Sequence, residues 1–207
     1  MIDTAFLITA FATLFVVIDP IGMAPLFAAL TSGMSSKKRR SIAVRSCLIA
    51  IGVLLLFGLG GEALLGFLGI SMPAFRIAGG ILLFLTALEM LFEFRTKRRQ
   101  DRSEDPSDDP SVFPLAIPLI AGPGAIASII LLMGEVQGDL LASTMVIAVM
   151  ISVIAVVAAF FFLAGLLERA VGQTGIVVIT RLFGMLLAAL SVQFVIDGIR
   201  GIGLALG

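Results

Sequence analysis

Two short stretches place helix-breaking residues and a carboxylate inside runs that are otherwise apolar. The first is VVIDPIGMAPLF at 16–27, where Asp19 is the only charge between Asp3 and Lys37, and the second is IAGPG at 120–124. Aspartate followed by proline is typical of a helix N-cap with proline at the first helical position, so a helix should break and restart here. A carboxylate at such a break can bind an ammonium group, a cation or a proton. The free N–H groups of a restarted helix can bind an anion.

The composition places both stretches in a membrane. Of the 207 residues, 59% are hydrophobic and 14% are charged, and the mean hydropathy is +1.16. A soluble domain carries about 25% charged residues, so the lipid bilayer is the expected surroundings. The net charge is zero, which favours no nucleic-acid partner. The chain has no histidine and a single cysteine, so we expect no intrachain disulfide, no metal site and no cofactor.

Six segments are apolar and long enough to cross a bilayer, which takes about 20 residues. Without a basic region ahead of it, the N-terminal segment is interpreted as a spanning helix and not as a cleaved signal. The six predicted spans are 4–30, 42–66, 73–93, 111–134, 140–166 and 177–199.

The basic residues are distributed unevenly between the two ends of these spans. Twelve of the 14 lysines and arginines lie in the loops after spans 1, 3 and 5 or at the start of span 6, and the exceptions are Arg76 and Arg200. The positive-inside rule places these loops in the cytoplasm and both termini on the outer, periplasmic side. The loop at 94–114 has a basic half and then an acidic half. We interpret it as a solvated linker whose basic half can contact anionic lipid headgroups.

The second half of the chain resembles the first. RIAGGILLFLT at 76–86 aligns with RLFGMLLAALS at 181–191, and Glu62 and Glu168 each stand seven residues before a Gly-Ile pair. Because each repeat holds three spans, an odd number, the second repeat enters the membrane from the opposite side. Such inverted repeats are a common plan of secondary transporters.

The predicted fold is therefore an all-α membrane protein with six transmembrane helices in two inverted three-helix repeats. The repeats are 1–94 and 111–207, joined by a charged cytoplasmic linker at 95–110. Spans 1 and 4 are predicted to be broken at mid-membrane, near 17–22 and 120–124.

The two breaks are expected to face each other and to line one polar cavity. Broken backbone is tolerated in a membrane only inside protein or beside water, and a carboxylate at mid-membrane costs about 2.5–3.5 kcal/mol. A zwitterion would match both the carboxylate and the helix N-termini. A purely structural role, as cap or kink, stays open. The residues expected to bind substrate are Asp19, Pro20, Gly22, Pro25, Gly122, Pro123, Gly124 and Ser128.

Two pairs of charged residues flank corresponding loops of the two repeats. Glu62 and Arg76 flank the loop between spans 2 and 3, and Glu168 and Arg181 flank the loop between spans 5 and 6. An arginine at a helix N-terminus is disfavoured by the helix dipole, so a carboxylate partner is expected. Each pair is interpreted either as a structural clamp or as a gate that opens.

The patterns VxDPxGxxPxF at 17–27 and PLxAGPGxI at 118–126, together with RLFGMLLAAL in span 6, resemble the MarC family over essentially the whole chain. This resemblance implies a six-helix protein of the bacterial or archaeal inner membrane. Some similar proteins are described as neutral amino acid transporters, which implies a substrate of that class. The family motif falls on Asp19, Pro20, Gly22, Pro25, Gly122, Pro123 and Gly124.

The leading hypothesis is a secondary transporter of a small neutral solute such as an amino acid. Coupling to H⁺ or Na⁺ and assembly as a homo-oligomer are left open. The alternative is a non-transporting membrane accessory or stress-related protein. An enzyme is not expected, because the chain lacks histidine and has no G-x-S-x-G or H-E-x-x-H motif. The absence of a Walker motif argues against ATP hydrolysis by that route.

Overall fold

The computed structural model describes residues 4–92 and 109–203, apart from the side chains of residues 168 and 169. Within those ranges the chain is helical and contains no strand, as expected of an all-α membrane protein. The helices are α1 (Thr4–Ile18), α2 (Pro20–Leu30), α3 (Ser36–Phe67), α4 (Met72–Leu91), α5 (Ser111–Ile120, of π type), α6 (Pro123–Glu135), α7 (Leu140–Phe162) and α8 (Ala164–Gly201).

Five helical segments of the described chain are long and apolar enough to cross a membrane, and the bent pair α5–α6 would make six. α1 and α2 together form one of the five, a segment of 27 residues. Half of its most apolar window is buried inside the protein, against 28% for α4 and for the part of α8 at Ala170–Gly201. The first span therefore lies at the centre of the bundle and the third and sixth spans lie nearer the lipid.

The helix starts outside the apolar centre are set by side-chain caps. Ser35, Ser71 and Asp139 cap α3, α4 and α7 by accepting the backbone N–H three residues further on. α3 begins at Ser36, six residues before the predicted start of span 2. The basic residues at 37–40, expected in a loop, therefore form the first turns of a helix.

The centre of the bundle is built from α1, α2, α6 and α7. Every residue of α6 from 127 to 132 is buried. The rings of Phe27 in α2 and Phe161 in α7 stack with centroids 4.4 Å apart. The junction of α1 and α2 at Asp19 is therefore held inside the protein, where an irregular backbone is tolerated.

α4 and α8 pack closely through glycines and run antiparallel. A Cβ added at Gly80, Gly184 or Gly198 would lie 2.8–3.1 Å from a backbone oxygen of the other helix. Small residues let helix backbones approach in this way within membranes. Part of this interface comes from the two stretches that align in the sequence, 76–86 and 181–191.

The prediction of a loop between spans 5 and 6, at 167–176, is wrong. α7 ends at Phe162, α8 begins at Ala164, and the segment 167–176 is helical. Its continuity is interrupted only at Gly172, whose backbone has φ 69 and ψ 165. No proline lies in this segment, so a single glycine is enough to redirect a helix that otherwise continues.

Candidate functional site

The first break is a single residue. α1 ends at Ile18 and α2 begins at Pro20, and between them Asp19 has a left-handed backbone with φ 58 and ψ 64. Aspartate is one of the few residues with a side chain that adopts this conformation readily. Asp19 is fully buried, and its Oδ1 accepts the N–H of Gly22 at 3.0 Å. The carboxyl group is therefore both the cap of α2 and a buried ionisable group.

Gly22 is required by the position of the Asp19 carboxyl group. A Cβ at Gly22 would lie 2.8 Å from Cγ and 3.0 Å from Oδ1 of Asp19, and closer still to Oδ2. Real Cβ atoms do not come this near, so any side chain at this position would displace the Asp19 carboxylate. The spacing Asp-Pro-x-Gly thus describes one local structure.

The second break is longer and bends the chain. α5 ends at Ile120, α6 begins at Pro123, and the two helices meet at 54°. The N-cap residue Gly122 is extended (φ −81, ψ 170), and within the described chain no side chain caps α6. The first intrahelical bond is donated by Ile126 to Gly122 at 2.9 Å. The N–H groups of the first turn of α6 and its positive dipole end are therefore available to an anion.

Gly122 is needed for space, since its φ is one that any residue can adopt. A Cβ there would lie 2.5 Å from the carbonyl oxygen of Pro118. The residues before the two prolines of α5, Phe113 and Ile117, are extended, as the steric effect of proline on its predecessor requires. Both prolines therefore prevent a regular helix ahead of the break.

The start of α6 lies against the end of α1. Gly124 is buried, and a Cβ on it would lie 3.1 Å from Cγ1 of Val17, two residues before Asp19. The same position is 3.3 Å from Leu83 Cδ2 and 3.7 Å from Thr86 Oγ1 of α4. The second break therefore approaches the first one, with α4 beside both.

Two buried hydroxyls lie one turn from this contact along their own helices. Ser128 follows Gly124 by four residues in α6, and Thr13 precedes Val17 by four residues in α1. Both are fully buried, and neither hydroxyl makes a hydrogen bond within the described chain. Most buried hydroxyls are bonded, so this capacity is available to a ligand or to water. Sequence reasoning missed Thr13, although it is a polar residue in an apolar run.

The prolines of the expected site differ in position. Pro20 is buried at the first position of α2, whereas Pro25 is half-buried and α2 continues through it. Pro123 opens α6 but is exposed, unlike its neighbour Gly124. Pro123 therefore fixes where α6 starts, whereas Pro25 does not interrupt α2.

The expected partner of Arg76 is corrected by the structure. Nη2 of Arg76 lies 2.8 Å from Oε1 of Glu135, the last residue of α6. Glu135 replaces Glu62, which is half-buried on α3. In the second expected pair, Arg181 is exposed on α8 and the side chain of Glu168 lies outside the described residues. Because α4 and α6 pack together, the ion pair of Arg76 and Glu135 links the start of α4 to the end of α6.

A second ion pair holds the other end of this broken span. Arg45 of α3 donates from Nη1 to Oδ2 of Asp109, whose Oδ1 accepts the N–H of Ser111 at the start of α5. The hydroxyl of Ser111 lowers the pKa of the Asp109 carboxyl, helped by the Ser111 N–H and by Arg45. The sequence had suggested only a solvated acidic loop at this position.

The elements described so far define a multi-pass α-helical membrane protein with two helix breaks, the first of them fully buried at Asp19. The chain belongs to the MarC family, because the sequence model of that family, described as MarC family integral membrane protein, matches residues 4–203. The resemblance seen in the sequence is thereby confirmed.

Relatives of similar length occur in archaea and bacteria. The chain is 35% identical to a UPF0056 membrane protein of Methanocaldococcus jannaschii, covering 96% of this chain and 98% of the relative. It is 34% identical to a UPF0056 membrane protein of Aquifex aeolicus, covering 94% and 92%. It is 33% identical to the UPF0056 inner membrane protein YhgN of Escherichia coli, covering 94% and 96%. No solved structure matches the chain.

Proposed function

We propose that this protein is a secondary transporter of a small neutral solute such as an amino acid, bound where the breaks of spans 1 and 4 approach each other. The observation that carries the proposal is the fully buried carboxylate of Asp19 at a helix break, beside the uncapped start of α6. An ionisable residue within a membrane is costly, and such residues usually serve a substrate or ion pathway.

The chemistry of the two breaks differs, and the difference suggests how a substrate is oriented. The start of α2 is already occupied by the Asp19 carboxylate, so this end attracts an ammonium group, a proton or a sodium ion. The start of α6 keeps its N–H groups and its positive dipole end for a carboxylate. A zwitterionic amino acid fits with its ammonium group towards Asp19 and its carboxylate towards Gly124. The unbonded hydroxyls of Thr13 and Ser128 are further polar contacts for it.

The pattern of helix packing supports the proposed inverted repeat. Exchanging α1 with α5, α2 with α6, α3 with α7 and α4 with α8 converts several observed packings into other observed ones. α2 packs on α8 and α6 on α4, α3 packs on α6 and α7 on α2, and α1 packs on α7 and α5 on α3. α4 and α8 pack on each other, as helices beside a twofold axis would. Two such units rocking about a central site would give alternating access.

The orientation and location follow from the charge distribution and from the relatives. The basic starts of α3 and of the linker at 95–110 would face the cytoplasm, and both termini would lie on the outer side. The name of the Escherichia coli relative supports the inner membrane. A reporter fused after Gly207 should be active only in a periplasm-specific form, and one inserted at residue 105 only in a cytoplasm-specific form. The reverse pattern would refute this orientation.

The complete burial of Asp19 also favours a second candidate. A transporter with this burial is in an occluded conformation, closed to both sides. A non-transporting membrane accessory protein, with a permanently closed centre, would bury the same residue.

Counterflow in liposomes separates the two candidates. Purified protein is reconstituted in vesicles loaded with each of the 20 amino acids in turn, and uptake of the labelled amino acid is measured. We expect accumulation of at least one neutral amino acid by the wild type and none by Asp19→Asn present in equal amount. Equal signals from the two proteins for every amino acid would favour the accessory candidate.

A further inference from the structure

A groove of about 430 Å³ lies at the surface around the first turns of α3, away from both helix breaks. Three of the six lining residues are basic, namely Lys37, Arg40 and Arg45. The other three are Ser41, Val44 and Leu48, and all six are exposed. The groove therefore combines positive charge, a hydroxyl and apolar surface on one wall.

The lining residues follow the period of a helix. Lys37, Arg40, Ser41, Val44, Arg45 and Leu48 are spaced by three or four residues, so they form one stripe along α3. Lys37 and Arg40 lie at the beginning of the stripe, Val44 and Arg45 are neighbours further along, and the stripe ends at Leu48, which is exposed by 62%. Further along α3, Leu56 and Leu59 are exposed as well. This order from charge to hydrocarbon matches the order from headgroup to acyl chain in a phospholipid.

Over the residues that the structure describes, the positive charge of the groove exceeds the acidic charge that it contacts. Among them, Asp109 is the carboxylate in contact with this wall, through its ion pair with Arg45. That contact uses one nitrogen of a guanidinium with five N–H donors, and Lys37 and Arg40 add two further cations. The first turn of α3 adds the positive end of the helix dipole. The groove therefore has a net positive charge and favours a phosphate.

We infer that this groove is a binding site for an anionic phospholipid, with the lipid phosphate between Lys37, Arg40 and Arg45 and an acyl chain along Val44 and Leu48. A soluble phosphate would use the basic part alone and would leave the apolar part of the stripe unexplained. Juxtamembrane basic residues attract anionic lipids by about 1 kcal/mol each, which is roughly fivefold in affinity per charge. The inference does not depend on transport.

The carboxylate of Asp109 competes with the lipid phosphate for Arg45. Removing its charge should therefore strengthen lipid binding, while removing the charges of Lys37 and Arg40 should weaken it. Opposite effects from opposite charge changes at one groove would not follow from damage to the fold, which lowers binding in either case.

The test uses the full-length protein in bilayers of phosphatidylcholine and phosphatidylglycerol. The preference for phosphatidylglycerol is measured from the motionally restricted fraction of spin-labelled lipid. We expect Lys37→Gln combined with Arg40→Gln to reduce the preference about tenfold or more, since each charge contributes roughly fivefold. Asp109→Asn should increase it severalfold. Arg200→Gln, a basic position elsewhere on the exposed surface, is the matched control and should leave the preference unchanged.

Three results would overturn the inference. The first is an unchanged preference in the double variant with normal helix content. The second is an equal loss in Arg200→Gln. The third comes from thermal unfolding in neutral detergent, where phosphatidylglycerol should stabilise the wild type and inorganic phosphate should not. Equal stabilisation by inorganic phosphate would assign the groove to a soluble anion.

Discussion

The two helix breaks use their N-cap residues in opposite ways. At the first break an aspartate occupies the left-handed conformation that usually requires glycine, with φ 58. At the second break a glycine occupies an extended conformation that any residue could adopt, with φ −81. Asp19 places its carboxyl group as a cap from a conformation that few residues with a side chain adopt. Gly122 is required because a Cβ there would meet the carbonyl oxygen of Pro118.

This difference gives the two breaks opposite electrostatic character. At the first, the Asp19 carboxyl group caps its own helix start, and at the second the positive helix end is uncapped. Under the proposed function, two identical breaks would repel one end of a zwitterion, so the difference between the breaks supports that proposal.

The largest effect is expected from neutralising the first break. Asparagine tolerates the left-handed conformation and caps a helix about as well as aspartate, so Asp19→Asn removes the charge and keeps the structure. Counterflow should fall roughly 30-fold or more, because losing one partner of a buried charge pair costs about 2–5 kcal/mol. Membrane abundance should be unchanged.

Asp19→Gly sharpens the same comparison, since it makes the first cap resemble the second. Glycine suits the positive φ and costs only a few tenths of a kcal/mol as a cap, so we expect normal insertion with the same loss of counterflow. Wild-type transport by either variant would assign Asp19 to structure alone. If Gly124→Leu, which fills the contact with Val17, also transports normally, the proposal of a substrate site at the two helix breaks would be refuted.

A smaller effect is expected when the carboxylate is displaced and not removed. Gly22→Ala places a Cβ against the Asp19 carboxylate and should destabilise the protein by about 1–3 kcal/mol, as overpacking does. Gly52→Ala is the matched control, since a Cβ there meets nothing within 4 Å. Unfolding in mixed detergent measures both. Equal stability of the two variants would mean that the Asp19 carboxyl group can rotate away from residue 22 without a loss of stability.

The contact between the breaks is tested by a compensating pair. A Cβ at Gly124 comes 3.1 Å from Val17, tight enough that the neighbour must yield. Gly124→Ala alone should reduce stability by about 1 kcal/mol, and Val17→Ala in the same chain should restore part of it. Additive losses in the double variant would contradict the contact.

The smallest effect on stability is expected at the ion pair of Arg76 and Glu135. The side chains of Arg76 and Glu135 are 21% and 40% exposed, so their coupling in a double-mutant cycle should be at most about 1 kcal/mol. Glu62→Gln should change the stability of the wild type and the stability of the Arg76→Gln variant by the same amount. A stronger coupling of Arg76 to Glu62 than to Glu135 would restore the pairing suggested by the sequence.

Much of this architecture could be predicted from composition and local chemistry. The lengths of the apolar segments predict the spans. The pair Asp19-Pro20 predicts the start of α2, because a helix cap and the restricted φ of proline act within a few residues. The partner of Arg76 could not be predicted, since it depends on how α4 and α6 pack across the bundle. The reason for Gly22 was also missed, because a spacing of three residues does not reveal that a side chain folds back over its own helix. The helical segment at 167–176 was predicted as a loop because it lies between two apolar segments, and apolar length does not show where a helix continues beyond the lipid.

The bend between α5 and α6 also constrains the order in which the protein is assembled. α6 has 13 residues, so at 1.5 Å per residue it reaches about 20 Å, less than the hydrocarbon thickness of about 30 Å. α5 has only 10 residues and is not a regular helix, because its backbone is extended at Phe113 and Ile117. Neither half can leave the translocon as an independent span. α5 must wait until α6 has been synthesised, and α3 and α4, made earlier, can then receive the pair. The helices made before it, α1 to α4, would thus act as the template on which α5 and α6 are inserted.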